Sequence, residues 1–207
     1  NITVTDNSID LFSIESNTNA VYELILEVTS TTDINSNLSV SFDFYSAEVN
    51  YAYFTINESY QITGLTQTYI DDSPEVLVIP GYSQDGSTNL SISSSGTHMV
   101  SVLTNLTSSV VIIEEGIANI SNSMFDSSMS NYIQCVVFPE SLKAIGSYNY
   151  FTNVAKAYFK NPNGWSYYDP ATHQRIMVST ETMANPFTTV NILKNSYVNG
   201  YGLNIIV

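Results

Sequence analysis

Histidine and cysteine are the side chains most able to do chemistry, and this chain has few of them. His98 in "SSSGTH" and His173 in "DPATHQR" share no His-x-x-x-His or comparable metal-ligand spacing. Both read as loop residues. The single cysteine, Cys135, sits in the apolar run "YIQCVVF". One thiol makes neither an internal disulfide nor a metal cage, and no histidine lies close in sequence to activate it. The run reads as a strand that buries its cysteine. No Gly-x-Ser-x-Gly elbow, Gly-rich phosphate loop or Walker pattern occurs. A Ser-His-Asp triad draws on distant residues, so its presence or absence is not legible at this level.

The acids single out no pair either. Asp71 and Asp72 in "YIDDSPE" and Asp85 in "SQDGS" read as loop residues. Oxygen-rich loops hold calcium, so these are the positions where a calcium ion would sit. The EF-hand spacing is missing, and adjacent aspartates ordinarily open turns. No cofactor is expected. A glycosidase needs two carboxylates across a cleft, and 19 acidic residues leave that choice open.

Tyrosine is the most suggestive residue type, with 15 in the chain. It supplies contact area at low entropic cost and ends in a polar tip. Tyr45, Tyr51 and Tyr53, with Tyr167 and Tyr168 far downstream, form the candidate recognition surface. Trp165, in "NGWSYYD", reads as a packed anchor.

The net charge is −14, and no Lys or Arg precedes Lys143. Such a field opposes phosphate backbones and anionic membranes, so nucleic acid is not an expected partner. No apolar run approaches the roughly 18 residues of a membrane-spanning helix, and no membrane insertion is expected. The chain begins at Asn1 without Met, which marks a processed, truncated or fragmentary start.

The elements that must position these residues are mainly strands. Residues 1–105 alternate with period two. In "NLSVSFDFYSA", Leu38, Val40, Phe42 and Phe44 share one face. In "VYELILEVTS", Leu24, Leu26 and Val28 do. Further strand candidates are Ile2 to Thr5, Tyr51 to Ile56, Val76 to Ile79, Leu90 to Ser93 and Met99 to Leu103. Polar turn clusters separate them. About seven short strands predict an antiparallel, immunoglobulin-like β-sandwich, with no helix competing. "TNLTSS", from Thr104 to Ser109, marks the boundary of a second domain over 106–207.

That second domain opens on a repeat. Val111 to Phe125 reads "VIIEEGIANISNSMF", and Val136 to Phe151 reads "VVFPESLKAIGSYNYF". Slid by 25 residues, Ile112 meets Val137, Ile113 meets Phe138, Glu115 meets Glu140, Ile117 meets Leu142 and Ile120 meets Ile145. One extra residue enters near Tyr148, and both copies reach an aromatic. A truncated third copy starts at "AKAYFKNP". The tail holds the best helix signal. Asn185 caps, Pro186 suits the first helical position, and Phe187, Val190, Leu193 and Tyr197 recur at helical spacing. Gly200 terminates the helix, and Gly202 to Val207 reads as a last strand. Ile120, Ile145, Phe151 and Trp165 are the expected structural anchors.

The segment "VVFPESLKAIGSYNYF" resembles the BspA-like leucine-rich-repeat family: apolar strand, turn, then Ile-Gly and an aromatic. "AYFKNPNGWSYYD" and the Leu193 to Tyr197 stretch resemble the module that closes such arrays. The resemblance spans about residues 110–207. It implies a surface protein of a bacterium or an accessory protein of a bacteriophage particle. A single repeat cannot bury its apolar face, so a short array needs caps. The sandwich would cap one end and the tail the other. The function so predicted is a non-enzymatic structural and recognition module on an extracellular or virion surface, as a capsid decoration or fibre protein. A bacterial adhesin for glycan or protein and a glycan-acting enzyme are the alternatives. Protein partners, glycan and a second copy of the chain are the partners to expect.

Overall fold

The computed structural model describes residues 47–92, 103, 105–121, 125, 132–147, 149, 151, 153–169, 171–199 and 202–205. The chain divides into two compact units, Asn1–Phe44 and Tyr45–Val207, and every described residue belongs to the second. The strands expected at Ile2 to Thr5, in "VYELILEVTS" and in "NLSVSFDFYSA" lie outside the described residues, as does Met99 to Leu103 apart from Leu103 itself.

The fold is mainly β. Its spine is a parallel sheet of four strands in the order β3 (Val76–Ile79), β5 (Val110–Ile113), β7 (Cys135–Phe138) and β9 (Lys156–Phe159). These strands read VLVI, VVII, CVVF and KAYF. The first three, evenly apolar, suit a parallel sheet, whereas β9 opens on Lys156 and alternates. Leu77, Ile79, Val111, Ile113, Val136, Phe138, Ala157 and Phe159 point into the main core. On the other face Val110, Cys135 and Val137 form a second cluster with Val76, Ile112 and Tyr158.

The 25-residue offset is the register of β5 on β7. Ile112 stands opposite Val137 across β5 and β7. Two short strands, β6 (Asn119–Ile120) and β8 (Ala144–Ile145), pair in parallel with Ile120 opposite Ile145. The third copy supplies β9, with Phe159 opposite Phe138.

Side chains stitch each rung to the next. The Glu115 carboxylate accepts from the Glu140 and Ser141 backbone N–H groups at 3.0 and 2.9 Å, and pairs with the Lys160 ammonium at 3.2 Å. Ser141 accepts from the Gly116 N–H and donates to the Ile117 carbonyl. Buried Asn149 accepts from the Phe125 N–H and donates to the Ser121 and Gly146 carbonyls. A buried amide so satisfied fixes a turn without leaving an unpaired group. The expected anchors Ile120, Ile145, Phe151 and Trp165 are all buried. Ring contacts run Phe125–Phe151–Phe138–Phe159–Trp165, with centroids 4.4–6.2 Å apart.

The far end is closed by β10 (Trp165–Asp169), β11 (Gln174–Met177) and β12 (Leu203–Ile205). They join β8 and β6 in a five-stranded sheet of order β11-β10-β12-β8-β6. Helix α3 (Pro186–Asn199) packs on β9. Its cap is the expected one: the Asn185 side chain accepts from the Phe187 and Thr188 N–H groups. Val190 and Leu193 are buried. Phe187 leaves the expected apolar stripe: it is 61% exposed, and its ring lies 6.0 Å from the Lys156 ammonium.

Two more helices correct the expectation of one. Both are shorter than a periodicity test can register. α1 (Gln67–Asp72) buries only Tyr69, and α2 (Thr180–Ala184) buries only Met183. α2 is capped by Ser179, which accepts from the Thr182 N–H.

The amino-terminal side also differs from the expected sandwich. β1 (Phe54–Ile56) and β2 (Gln61–Leu65) pair antiparallel, but β4 (Ser91–Ile92) joins β2 in parallel. Tyr51–Tyr53 is a 3-10 turn and not the start of the strand expected there. β3 pairs in parallel with β5, so strands from either side of residue 105 are neighbours in one sheet. The segment expected as a boundary is strapped down. The hydroxyl of fully buried Tyr69 accepts from the Thr107 and Ser108 N–H groups, and Ser108 donates to the Pro74 carbonyl. The compact unit thus begins at Tyr45, upstream of the boundary read at 105. Apolar VLVI, without alternation, suits β3 to the parallel sheet, of which it is an end strand.

Cys135 is 1% exposed, and burial pushes its thiol pKa up to about 11. At neutral pH almost no thiolate forms. An aromatic disulfide reagent is expected to leave the native thiol unmodified and to modify it fully in urea. Native modification at the rate of a free cysteine would contradict this burial.

Candidate recognition groove

The β1–β2 hairpin and the loop after β3 enclose an open groove of about 570 Å³. Its floor is Phe54 and Ile56, which share one face of β1, with Leu90 leading into β4. Tyr51 and Tyr60 stand at its walls. Ser83 and Gln84 come from the loop after β3.

Each wall is held by local geometry. The Tyr51 hydroxyl donates to the Tyr82 carbonyl at 3.0 Å and reaches the Ser83 carbonyl at 3.4 Å. Burial raises the Tyr51 pKa, and the nearby Glu114 and Asp85 charges raise it further. Tyr60 occupies the hairpin turn with φ +58°, a left-handed conformation uncommon for an aromatic residue. Asn57 enforces that turn. Its side-chain oxygen accepts from the Ser59 and Gln61 N–H groups, and its carbonyl accepts from the Tyr60 N–H. The Tyr60 carbonyl then receives the Ser91 N–H from β4.

The loop behind Ser83 is equally constrained. Asp85 accepts from the Ser83 hydroxyl and from the backbone and hydroxyl of Ser87, which hold its pKa at about 2. Its oxygens are thereby taken up by its own turn. Two carboxyls adjacent in sequence are driven apart below it. Glu114 is raised by burial, against the Gly81 N–H and Lys160. Burial also pushes Glu115 up, but the Glu140 and Ser141 N–H groups and Lys160 outweigh it and hold it below the ordinary range.

The other candidates are dispersed. Tyr53 donates to Asp72 at 3.1 Å and packs edge-on against Tyr69 at 5.6 Å. Tyr167 is half-buried on the main core, and Tyr168 is 51% exposed with its hydroxyl 3.3 Å from His173 Nδ1. His173 lies in the β10–β11 turn, as expected, at φ +55°. Tyr45 and His98 lie outside the described residues. Of the four described tyrosines read as a surface, only Tyr51 lines the groove. Asp71 and Asp72 lie in the last turn of α1 and not on a loop. The six-residue helix carries no repeating pattern, and Gln67 and Tyr53 donate to these carboxylates. No group of three metal-ligating side chains occurs among the described residues. Nor is any helix among them long and apolar enough to cross a membrane.

Sequence reasoning passed over Tyr60, Glu58 and Gln84. The one signal for Glu58 and Tyr60 was the "TINESYQIT" hairpin pattern, in which Asn57 and Ser59 bracket a turn between apolar runs.

No known protein family, curated protein or solved structure matches the chain.

Proposed function

We propose that the chain is a non-enzymatic structural and recognition module displayed on an extracellular surface, as a decoration or fibre protein of a bacteriophage virion. In this reading β5, β7 and β9, with their return strands, are a short leucine-rich-repeat array of the BspA-like kind. In the same reading β10 to β12 with α3 are the cap of that array. The observation that carries the reading is the parallel register of Ile112 on Val137 and Ile120 on Ile145. Such a ladder, closed at one end, is a rigid spacer that holds a recognition surface away from its carrier. The acidic field adds solubility and repels phosphate surfaces.

The test is the location of the chain in its native setting. Antibody raised against the folded chain is expected to decorate intact particles and to shift them in sedimentation. Label confined to a bacterial envelope selects the adhesin reading instead. Turnover of surface glycans by the purified chain would overturn the non-enzymatic reading.

A further inference from the structure

We infer that the groove between Tyr51 and Tyr60 binds an uncharged oligosaccharide. The inference names the ligand class for the recognition role proposed above and rests on that role, but not on the virion as carrier.

Four observations converge. The groove's volume, about 570 Å³, falls within the range of about 300–1,000 Å³ usual for ligand sites. Tyr51 and Tyr60 are both among the lining residues, and aromatic lining suits the flat C–H faces of a sugar ring. The Tyr51 ring is immobilised by its hydroxyl contacts, so little side-chain freedom is lost on binding. The polar groups at the rim supply both donors and acceptors. The Glu58 carboxylate, the Tyr60 hydroxyl and the Gln84 amide are solvent-exposed groups among the lining residues, where a ligand would replace water.

The fourth observation is the backbone of Tyr60. A left-handed residue in a hairpin turn is ordinarily Gly, Asn or Asp. A tyrosine there, 46% exposed, is held at φ +58° by the Asn57 bonds across the turn. Strain of this kind collects where a side chain serves a ligand.

Charge narrows the ligand. Glu58 lies in the groove, and Asp85 and Glu114 act on Tyr51 from behind. An anionic sugar or phosphate would be repelled. A basic peptide is the competitor, but it needs converging carboxylates. Among the described lining residues Glu58 is the only carboxylate, so none converge in the groove itself.

The experiment uses the full chain on a printed array of neutral and anionic oligosaccharides, with titration calorimetry on the best neutral hit. Two variants accompany it. Tyr60→Gly removes the ring and relieves the positive φ, so Tm should hold or rise while affinity falls at least tenfold. Gln84→Ala should weaken binding several-fold with Tm unchanged. A blank neutral array up to millimolar ligand overturns the inference, as do preferential binding of anionic glycans or a basic peptide, or full affinity in Tyr60→Gly. A blank array with the chain still found on particles removes the groove and leaves the display role. Neutral-glycan binding with no label on particles does the reverse.

Discussion

Trp165→Ala is expected to destabilise the Tyr45–Val207 unit by about 3–5 kcal/mol, the usual cost of emptying a large aromatic site. The indole is fully buried, and its ring meets Phe159 edge-on at 5.0 Å. Its N–H donates to the Asn161 carbonyl at 2.8 Å. Trp165 also opens β10, opposite Ile205 of β12. One substitution therefore opens a cavity, leaves a carbonyl unpaired and loosens the strand that closes the array. A short array has few rungs over which to share that loss. Denaturation followed by far-ultraviolet circular dichroism measures the effect, since the mutant has lost the only tryptophan. Trp165→Phe separates the parts: it keeps most of the ring and loses the N–H, so about 1 kcal/mol or somewhat more is expected. An unchanged midpoint in Trp165→Ala would mean that the ring is not in the core.

The repeat was legible because its selection is packing. Ile112 and Val137 match in sequence since they fill equivalent places in one sheet. Phe125 and Phe151 match once the extra residue near Tyr148 is admitted, and their rings lie 5.2 Å apart. The rung upstream was not legible. β3 is as apolar as β5, but the chain between them includes the groove loop and β4, so no fixed offset links Val78 to Ile112. Without an offset, VLVI reads as one more strand of an alternating domain. The strap at Tyr69 was hidden for a different reason. A buried tyrosine bonding to two backbone N–H groups leaves no local pattern, so "TNLTSS" reads as a linker when it is tied in place.

The groove was legible in residue type and illegible in membership. Tyrosine count identified a resource and overstated it: Tyr53 and Tyr168 engage Asp72 and His173, and Tyr167 packs on the core. What selects Tyr51 is its distance from the β3 loop, a long-range fact. What selects Tyr60 is a backbone angle, which composition does not carry.

The contact that joins the groove loop to the ladder sets the second large effect. A Cβ placed on Gly81 would lie 1.7 Å from the Glu115 carbonyl oxygen and 2.6 Å from its carbon. Gly116, at φ +102°, would put its own Cβ 2.7 Å from the Gly81 carbonyl oxygen. Two backbones touch here with no room between them, and the Gly81 N–H reaches the Glu114 carboxylate across the gap. The atoms a Cβ on Gly81 would meet are all backbone, with no flexible side-chain end that could swing away. Gly81→Ala must therefore displace either the β3 loop or the turn that carries Glu115. The expected cost is about 3 kcal/mol, at the upper end for overpacking. Displacing Glu115 also disturbs its bonds to Glu140, Ser141 and Lys160 in later rungs, so the loss should spread along the ladder. Gly86 supplies the control within the same loop. It too has a positive φ, +72°, but a Cβ there meets nothing within 4 Å. Gly86→Ala should cost only the left-handed backbone penalty, about 1 kcal/mol. Thermal denaturation of the two variants side by side decides the matter. Equal, small shifts would mean that the loop and the ladder do not touch. A shift several-fold larger for Gly81→Ala would place the rigidity of the groove's Ser83–Gln84 wall in this single backbone contact.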